Sequence, residues 1–248
     1  IRDFCLSRGL GDVYKRQTIG SKLPVVTPAI TLLLVLSLTG GIENALPAGT
    51  WNWWYTMLLP GMMAILCYLC IQKDKELNFS TMLSLGIPAG AGWMGKIIYC
   101  SVCLLLSNIL IFGGTLVGGM VFGTTISPEE GIFGALLLSI SYLWAIPLYL
   151  FLSARFGLFA CVFSGMALSA GGVAALADTK IWWICPSAIP VRLMCPVLGI
   201  QPNGLPVPKG SPLSGMGVIV PGVLLSLLWL VVLTFFTVRW FAGREGEA

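Results

Sequence analysis

The stretch Met216–Val238, MGVIVPGVLLSLLWLVVLTFFTV, decides the fold class of this chain. It contains no Asp, Glu, Lys or Arg. About 20 apolar residues in a helix cross the ~30 Å hydrocarbon core of a bilayer. A charged side chain in the middle of such a helix costs roughly 3 kcal/mol. The stretch is therefore predicted to be a transmembrane helix.

Five further stretches have the same properties, so the sequence predicts six transmembrane helices. These five are Leu23–Ile42, Trp53–Ile71, Ile97–Val121, Ile132–Leu152 and Phe156–Ala177. The chain is 57% hydrophobic and 10% charged, whereas a soluble domain carries about 25% charge. We therefore expect an all-α polytopic membrane protein in which residues 18–248 form one domain. Its function is expected to be carried out in or across a bilayer.

Residues 1–17, IRDFCLSRGLGDVYKRQ, are interpreted separately. They resemble translated sequencing-adapter text more than a natural approach to a membrane span, and no small-residue cleavage site follows the first apolar run. We interpret them as a non-native string and exclude them from the fold.

The distribution of basic residues predicts the topology. Of 14 Lys and Arg, only Lys180, Arg192 and Lys209 fall on one side of the predicted spans, and all three lie in one long loop. The remainder flank the spans on the other side. The positive-inside rule then places both termini in the cytoplasm. Trp residues at the predicted span boundaries agree with an aromatic belt.

Several kinds of chemistry are disfavoured by what the sequence lacks. It has no His, which removes Ser-His-Asp catalysis and HExxH zinc sites. It has no GxxxxGK[ST] motif, so ATP is not expected to bind as in a P-loop protein. The predicted spans contain no acid or base of the kind that ion-coupled transporters use. The sequence predicts no enzyme, no cofactor on this chain and no nucleic-acid partner. A translocator driven by a separate ATPase fits better.

The cysteines form two CxxC pairs, Cys67/Cys70 and Cys100/Cys103. Paired CxxC units in a soluble protein indicate zinc, but here both pairs lie inside apolar spans, where Cys behaves as a small hydrophobic residue. We therefore predict no metal site. Cys185 and Cys195 share the long loop, and whether they form a disulfide is left open.

Two connecting segments are candidates for function. Gln72–Lys96 contains a charged run and then a short amphipathic pattern formed by Phe79, Met82 and Leu83; it is either a solvated loop or a docking helix for a partner. Asp178–Gly215 is rich in proline and contains an apolar piece that is too short to span, which is typical of a re-entrant or interfacial segment. A disordered loop is the alternative reading of this second segment.

Three stretches of the sequence carry a resemblance to a known family. They are WWYTMLLPG at Trp53–Gly61, QKDK at Gln72–Lys75, and ICPSAIPVRLMCPVLGIQPNGL at Ile184–Leu205. Together they resemble the permease subunits of lantibiotic-immunity ABC transporters of the mutacin, epidermin and nisin self-protection type.

The resemblance implies an ABC-2-type exporter subunit with six transmembrane helices in the plasma membrane of a bacterial cell. Its partners would be a cytosolic ABC ATPase, which binds the ATP, a second permease subunit, and a lantibiotic peptide in the bilayer. The predicted ATPase-coupling loop contains Lys73, Asp74, Lys75, Glu76, Phe79, Met82 and Leu83. The predicted substrate face contains Trp53, Trp54, Tyr55, Trp182, Trp183, Arg192 and Asn203, where simple interfacial anchoring is the alternative. Two other functions stay open: an ABC-2 permease for a drug or lipid, and a non-transporting membrane scaffold or sensor.

Overall fold

The structure is a computed structural model, and it describes residues 22–40, 42, 45–76, 89–172, 176–208 and 210–243. For residues 73–76 and 89 only the backbone is described. The described chain is all-α. Its helices are α1 (Lys22–Thr39), α2 (Ala45–Trp53), α3 (Leu59–Glu76), α4 (Ala89–Phe122), α5 (Pro128–Tyr142), α6 (Ala145–Phe156), α7 (Leu158–Gly171), α8 (Ala188–Leu198) and α9 (Ile219–Ala242). A π-helical turn, Trp54–Leu58, joins α2 to α3.

Four helical segments are long and apolar enough to cross a membrane. They are Lys22–Thr39, Ala45–Gln72, Gly90–Phe122 and Met216–Ala242. Helices α5 and α6 are long and apolar enough to cross a membrane only when they are taken together, and a bend of 46° separates them. The prediction of an all-α chain with several membrane-crossing helices is confirmed in this coarser form. By the length and composition of its helices, the chain is a multi-pass membrane protein.

Of the six predicted spans, the fifth is not complete among the described residues. The fifth predicted span, Phe156–Ala177, corresponds to α7, which has 14 residues. At 1.5 Å per residue this helix is about 21 Å long, shorter than the hydrocarbon core. Residues 173–175 lie outside the described part of the chain. Among the described residues there are therefore four spans, or five when the bent pair counts as one.

The predicted beginning of the second span is also wrong. The helix starts at Ala45 rather than Trp53, so Trp54 and Tyr55 lie inside the bundle instead of at its edge. The reason is packing: Leu46 lies against Gly118 of α4, where the missing side chain leaves room for it. Polar residues in Ala45–Asn52 lowered the apolar signal of this first part of the helix.

Prolines explain where the helices bend. Pro60 has no N–H to donate to the carbonyl of Thr56 four residues earlier, and the helix widens into the π-helical turn at that point, with Leu59 N–H bonded to Trp54 O. Pro147 likewise cannot donate to Leu143, and the bend between α5 and α6 lies at Leu143 and Trp144. By contrast α4 has 34 residues and no proline, and it runs without a break.

Contacts between the helices give their relative directions. Helix α1 runs parallel to α4, because Pro24 lies beside Ser107 and Leu32 beside Gly114. Helix α5 runs antiparallel to α4, as the pairs Asn108–Ser139 and Phe112–Gly131 show. Helix α9 is also antiparallel to α4, and α7 is antiparallel to α3; the pairs are Trp93–Thr237 and Gly90–Val238 for α9, and Thr56–Ser169 and Ala64–Cys161 for α7. The bundle therefore has two ends. We call the end with Glu129 and Glu130 the acidic end, and the end with Lys96, Arg155 and Arg239 the basic end.

Candidate functional site

The candidate site is built by the segment between α7 and α9, which folds back into the acidic end of the bundle. Ten of the 11 residues of α8 are buried. Leu198 packs against Gly134 of α5, and Leu193 packs against Gly222 of α9. Both glycines leave space for these leucine side chains, so α8 lies between the two helices. The segment is a packed part of the fold.

Arg192 ties α8 to the chain just before α9. Its side chain is only 6% exposed. One terminal nitrogen, Nη1, donates to Leu213 O and the other, Nη2, donates to Pro212 O, both at 3.0 Å. A buried charge needs partners because burial removes it from water. Here the described partners are backbone carbonyls, so Arg192 acts as a clamp between α8 and the 212–214 turn.

The chain after α8 forms a small hairpin that reaches α2. Gly199 ends α8 in a left-handed conformation with φ 67°, which glycine adopts without strain. An isolated bridge then pairs Ile200 with Pro206. At the tip, Asn52 Nδ2 donates to Pro202 O at 3.1 Å. Asn52 lies seven residues into α2, about 10 Å along its axis. The hairpin therefore packs against the side of α2, with Pro202 buried and Asn203 and Leu205 exposed.

Next to Asn52 is the π-helical turn caused by Pro60. Because Pro60 cannot donate to Thr56 O, that carbonyl is free for another donor. Ser169 Oγ of α7 donates to it at 2.6 Å. The same arrangement occurs in α1, where Pro28 frees Pro24 O and Ser107 Oγ of α4 donates to it at 2.9 Å. In both places a serine from one helix satisfies a carbonyl that proline freed in another.

A chain of buried hydrogen bonds crosses the bundle at the same depth. Trp54 Nε1 donates to Asn108 Oδ1 at 2.8 Å, and Asn108 Nδ2 donates to Ser139 Oγ at 2.8 Å. Ser139 Oγ in turn donates to Ala135 O in its own helix. The chain links the π-helical turn, α4 and α5. π-Helical turns inside α-helices occur frequently at functional sites. This one is bonded to two other helices, α4 and α7, and Asn52 links it to the hairpin by donating to Tyr55 Oη and to Pro202 O.

The predicted substrate face is divided by the structure. Trp54, Tyr55, Trp182 and Arg192 are buried, so these four side chains do not form an outer surface. Trp53 is 39% exposed, Trp183 is 50% exposed, and Asn203 is exposed. The aromatic clusters were expected to present all five rings at the interface, but the earlier start of α2 and the packing around α8 bury three of them. The role of the exposed three as a substrate face stays a prediction.

The structure describes only the first residues of the predicted coupling loop. Lys73, Asp74, Lys75 and Glu76 form the last turn of α3, and nothing is described of their side chains. Phe79, Met82 and Leu83 lie outside the described residues, as do Glu43 and Lys209. Helix α3 extends past the predicted span, and α4 begins at Ala89, eight residues before Ile97.

Three cysteines of the two CxxC pairs lie close together, whereas Cys185 and Cys195 form no disulfide with one another. Cys100 Sγ lies 3.9 Å from both Cys67 Sγ and Cys70 Sγ. Within the described ranges, no group of His, Cys, Asp and Glu is arranged to hold a metal ion. Cys185 and Cys195 are both free thiols; the sulfur of Cys185 contacts Ser187 Oγ at 3.1 Å, and Cys195 is directed at the carbonyl of Val191.

Sequence reasoning missed three residues of the site: Asn52, Ser139 and Ser169. Their signal was weak, since each is a single polar residue in or beside an apolar run. Pro60 does indicate such a site in the sequence. A proline inside an uncharged span frees the carbonyl four residues earlier, and that carbonyl then requires a donor from another part of the chain.

Comparison of the chain with protein-family models, curated proteins and solved structures finds no match.

Proposed function

We propose that this chain is the membrane-spanning permease subunit of an ABC exporter that expels lantibiotic peptides from the membrane and so protects the producing cell. In this proposal a cytosolic ABC ATPase supplies the energy and a second permease subunit completes the translocation pathway. The chain itself performs no catalysis and holds no cofactor.

The observation that carries the proposal is the extension of α3 and α4 beyond the apolar spans at the basic end. Helix α3 continues through the charged residues Lys73–Glu76, and α4 begins well before its apolar part. A permease without its own nucleotide site must receive force through such a projection. Two continuous helices transmit displacement better than a flexible loop. Residues 77–88 connect them, and we propose that this connection docks the ATPase.

The directions of the helices support six crossings with both termini on the cytoplasmic side. Neighbouring spans alternate in direction, and Lys96, Arg155 and Arg239 share the basic end, in keeping with the positive-inside rule. Helix α7 runs in the direction that a fifth crossing requires. Ala177 N–H bonds to Gly172 O at 2.9 Å, which extends helical bonding beyond its last α-helical residue. We propose that α7 lies in the fifth crossing.

Two of the sequence stretches that carry the family resemblance lie together in space. Asn52, which directly precedes the stretch Trp53–Gly61, is bonded to Pro202 in the stretch Ile184–Leu205. We propose that this junction is the entry site for an amphiphilic peptide in the outer leaflet. Trp53, Trp183 and Asn203 would meet the peptide, while the buried members of the predicted face hold the junction together. Rings of Trp suit the depth of the membrane interface.

The function is tested by expressing the chain in a lantibiotic-sensitive Gram-positive host with the ATPase and permease genes of its own cluster. Growth inhibition by a panel of lantibiotics is measured against a host that carries an ATPase with its P-loop lysine replaced. We expect tolerance to rise only with the active ATPase. Equal growth inhibition in both hosts would contradict the proposal. Tolerance that rises for a drug and not for any peptide would favour the alternative substrate class.

The entry site is tested by Trp183→Ala. We expect lower peptide tolerance with unchanged assembly of the complex, measured by copurification of the ATPase. Phe159→Ala is the matched control, because Phe159 is an aromatic residue that is 88% exposed but lies near the basic end. If both variants keep full tolerance, Trp183 is an anchor only.

The docking segment is tested by replacing Phe79, Met82 and Leu83 together with Ser. We expect the ATPase to be lost from the purified complex while the chain stays in the membrane. Retention of the ATPase at the wild-type ratio would place the docking surface elsewhere.

A further inference from the structure

A second candidate site lies at the basic end, away from the proposed entry site. It is an open groove of about 780 Å³ between the first part of α4 and the last part of α9. Its walls are almost entirely apolar, and it includes Met94, Ile97, Leu230, Val231 and Phe235. A groove of this kind on a membrane-crossing helix pair faces acyl chains, which match its walls chemically.

The groove has a polar mouth with positive electrostatic character. Arg239 lines it, in the last turn of α9. Gly90 and Ala91 line it from the first turn of α4, which contains no acidic residue. The first N–H groups of a helix have no partner within the helix and carry a partial positive charge. An arginine and the beginning of a 34-residue helix therefore meet at one mouth.

Trp240 follows Arg239 directly, near the mouth of the groove, and its ring is partly buried. It contacts the buried Trp93 edge to face. Partly exposed Trp rings are typical of the headgroup region of a bilayer.

We propose that this groove binds one anionic phospholipid, with its phosphate at Arg239 and the beginning of α4, and an acyl chain along Ile97, Val231 and Phe235. Basic pockets between transmembrane helices on the cytoplasmic side bind anionic headgroups in this way. The proposal concerns the lipid alone and does not depend on the peptide or the ATPase.

The experiment measures lipid retained by the purified full-length chain in nanodiscs of phosphatidylcholine with a minor fraction of phosphatidylglycerol. Native mass spectrometry after detergent extraction counts the bound lipid. We expect one phosphatidylglycerol to be retained by the wild-type protein. Arg239→Gln should weaken its affinity about fivefold, since one basic residue near the surface contributes about 1 kcal/mol. Arg155→Gln, an exposed arginine at the same end but outside the groove, should leave retention unchanged.

A second pair of variants tests the acyl part of the groove. Val231→Trp fills it and should abolish retention. Val220→Trp is the matched control, because Val220 lies on the same helix and is 68% exposed against 65% for Val231, but it does not line the groove. Equal retention of phosphatidylglycerol and phosphatidylcholine, or retention unaffected by both Arg239→Gln and Val231→Trp, would overturn the proposal. So would dissociation of a dimer in Val231→Trp without lipid loss, since the groove would then bind a second copy of the chain.

Discussion

Helix α4 and the helical run from α2 to α3 are built differently, although both cross the bundle. Helix α4 has no proline over its 34 residues and bonds its own backbone throughout. The α2–α3 run is interrupted by Pro60, and the carbonyl of Thr56 finds its donor in Ser169 of another helix. An uninterrupted helix can pack in many ways, whereas a freed carbonyl in apolar surroundings requires one particular neighbour. The comparison teaches that the interrupted helices pair through carbonyls that prolines have freed, whereas α4 pairs with its neighbours through side chains such as Asn108.

The largest expected effect is at Asn108, where the uninterrupted helix meets the interrupted one. Asn108→Leu removes both bonds of the chain that joins Trp54 to Ser139 and leaves the buried Trp54 N–H without an acceptor. We expect a loss of about 2 kcal/mol in the free energy of unfolding, measured by SDS titration in mixed micelles. Asn203→Leu, at an exposed asparagine that bonds only within its own turn, should change it little. A smaller loss for Asn108→Leu than for Asn203→Leu would show that the bonds of Asn108 to Trp54 and Ser139 do not stabilise the bundle.

The next effect is at Ser169. Ser169→Ala leaves Thr56 O buried without its donor, and we expect the free energy of unfolding to fall by about 1 kcal/mol. Ser164→Ala is the control on the same helix, because Ser164 donates only to Cys161 O in α7 itself. Equal stability of the two variants would show that the freed carbonyl finds another donor.

The smallest expected effect tests directly whether Pro60 and Ser169 act on the same carbonyl, that of Thr56. In a chain that already carries Ser169→Ala, Pro60→Ala restores an N–H that can bond to Thr56 O. We expect the double variant to regain about 0.5 kcal/mol of the loss. The single variant Pro60→Ala completes the double-mutant cycle. Additive effects in the cycle would mean that Pro60 and Ser169 do not act on the same carbonyl.

Much of the fold follows from the sequence for a simple reason: charges are excluded from membrane spans, and their absence marks the spans directly. Met216–Val238 and Ile97–Val121 both lie within observed helices. The beginning of α2 was missed because Thr50 and Asn52 lower the hydropathy of Ala45–Asn52. The contact of Leu46 with Gly118, which holds this part of the helix against α4, is not visible in a hydropathy pattern. The position of α8 was predicted only in outline, since the burial of Arg192 depends on two carbonyls 20 and 21 residues further along the chain.

The site was less predictable than the spans. Pro60 indicates that a carbonyl is freed, but no local pattern identifies Ser169 as the donor, because that contact depends on how α7 lies against α3. The same holds for Asn52, whose partner is the hairpin at Pro202. Polar residues inside apolar spans indicate a functional or packing role, and the partner has to come from the structure.

The Arg192 clamp has a consequence for the order in which the protein is assembled during synthesis. The ribosome makes Arg192 before Pro212 and Leu213, the residues whose carbonyls receive its guanidinium. Until those residues emerge, the arginine has no acceptor inside the bundle and is more stable in water. We therefore expect α8 to remain at the membrane surface until α9 has been inserted, and to fold inward as the last step of biogenesis. A chain truncated before Pro212 would then leave α8 accessible to protease, although every helix before it is complete.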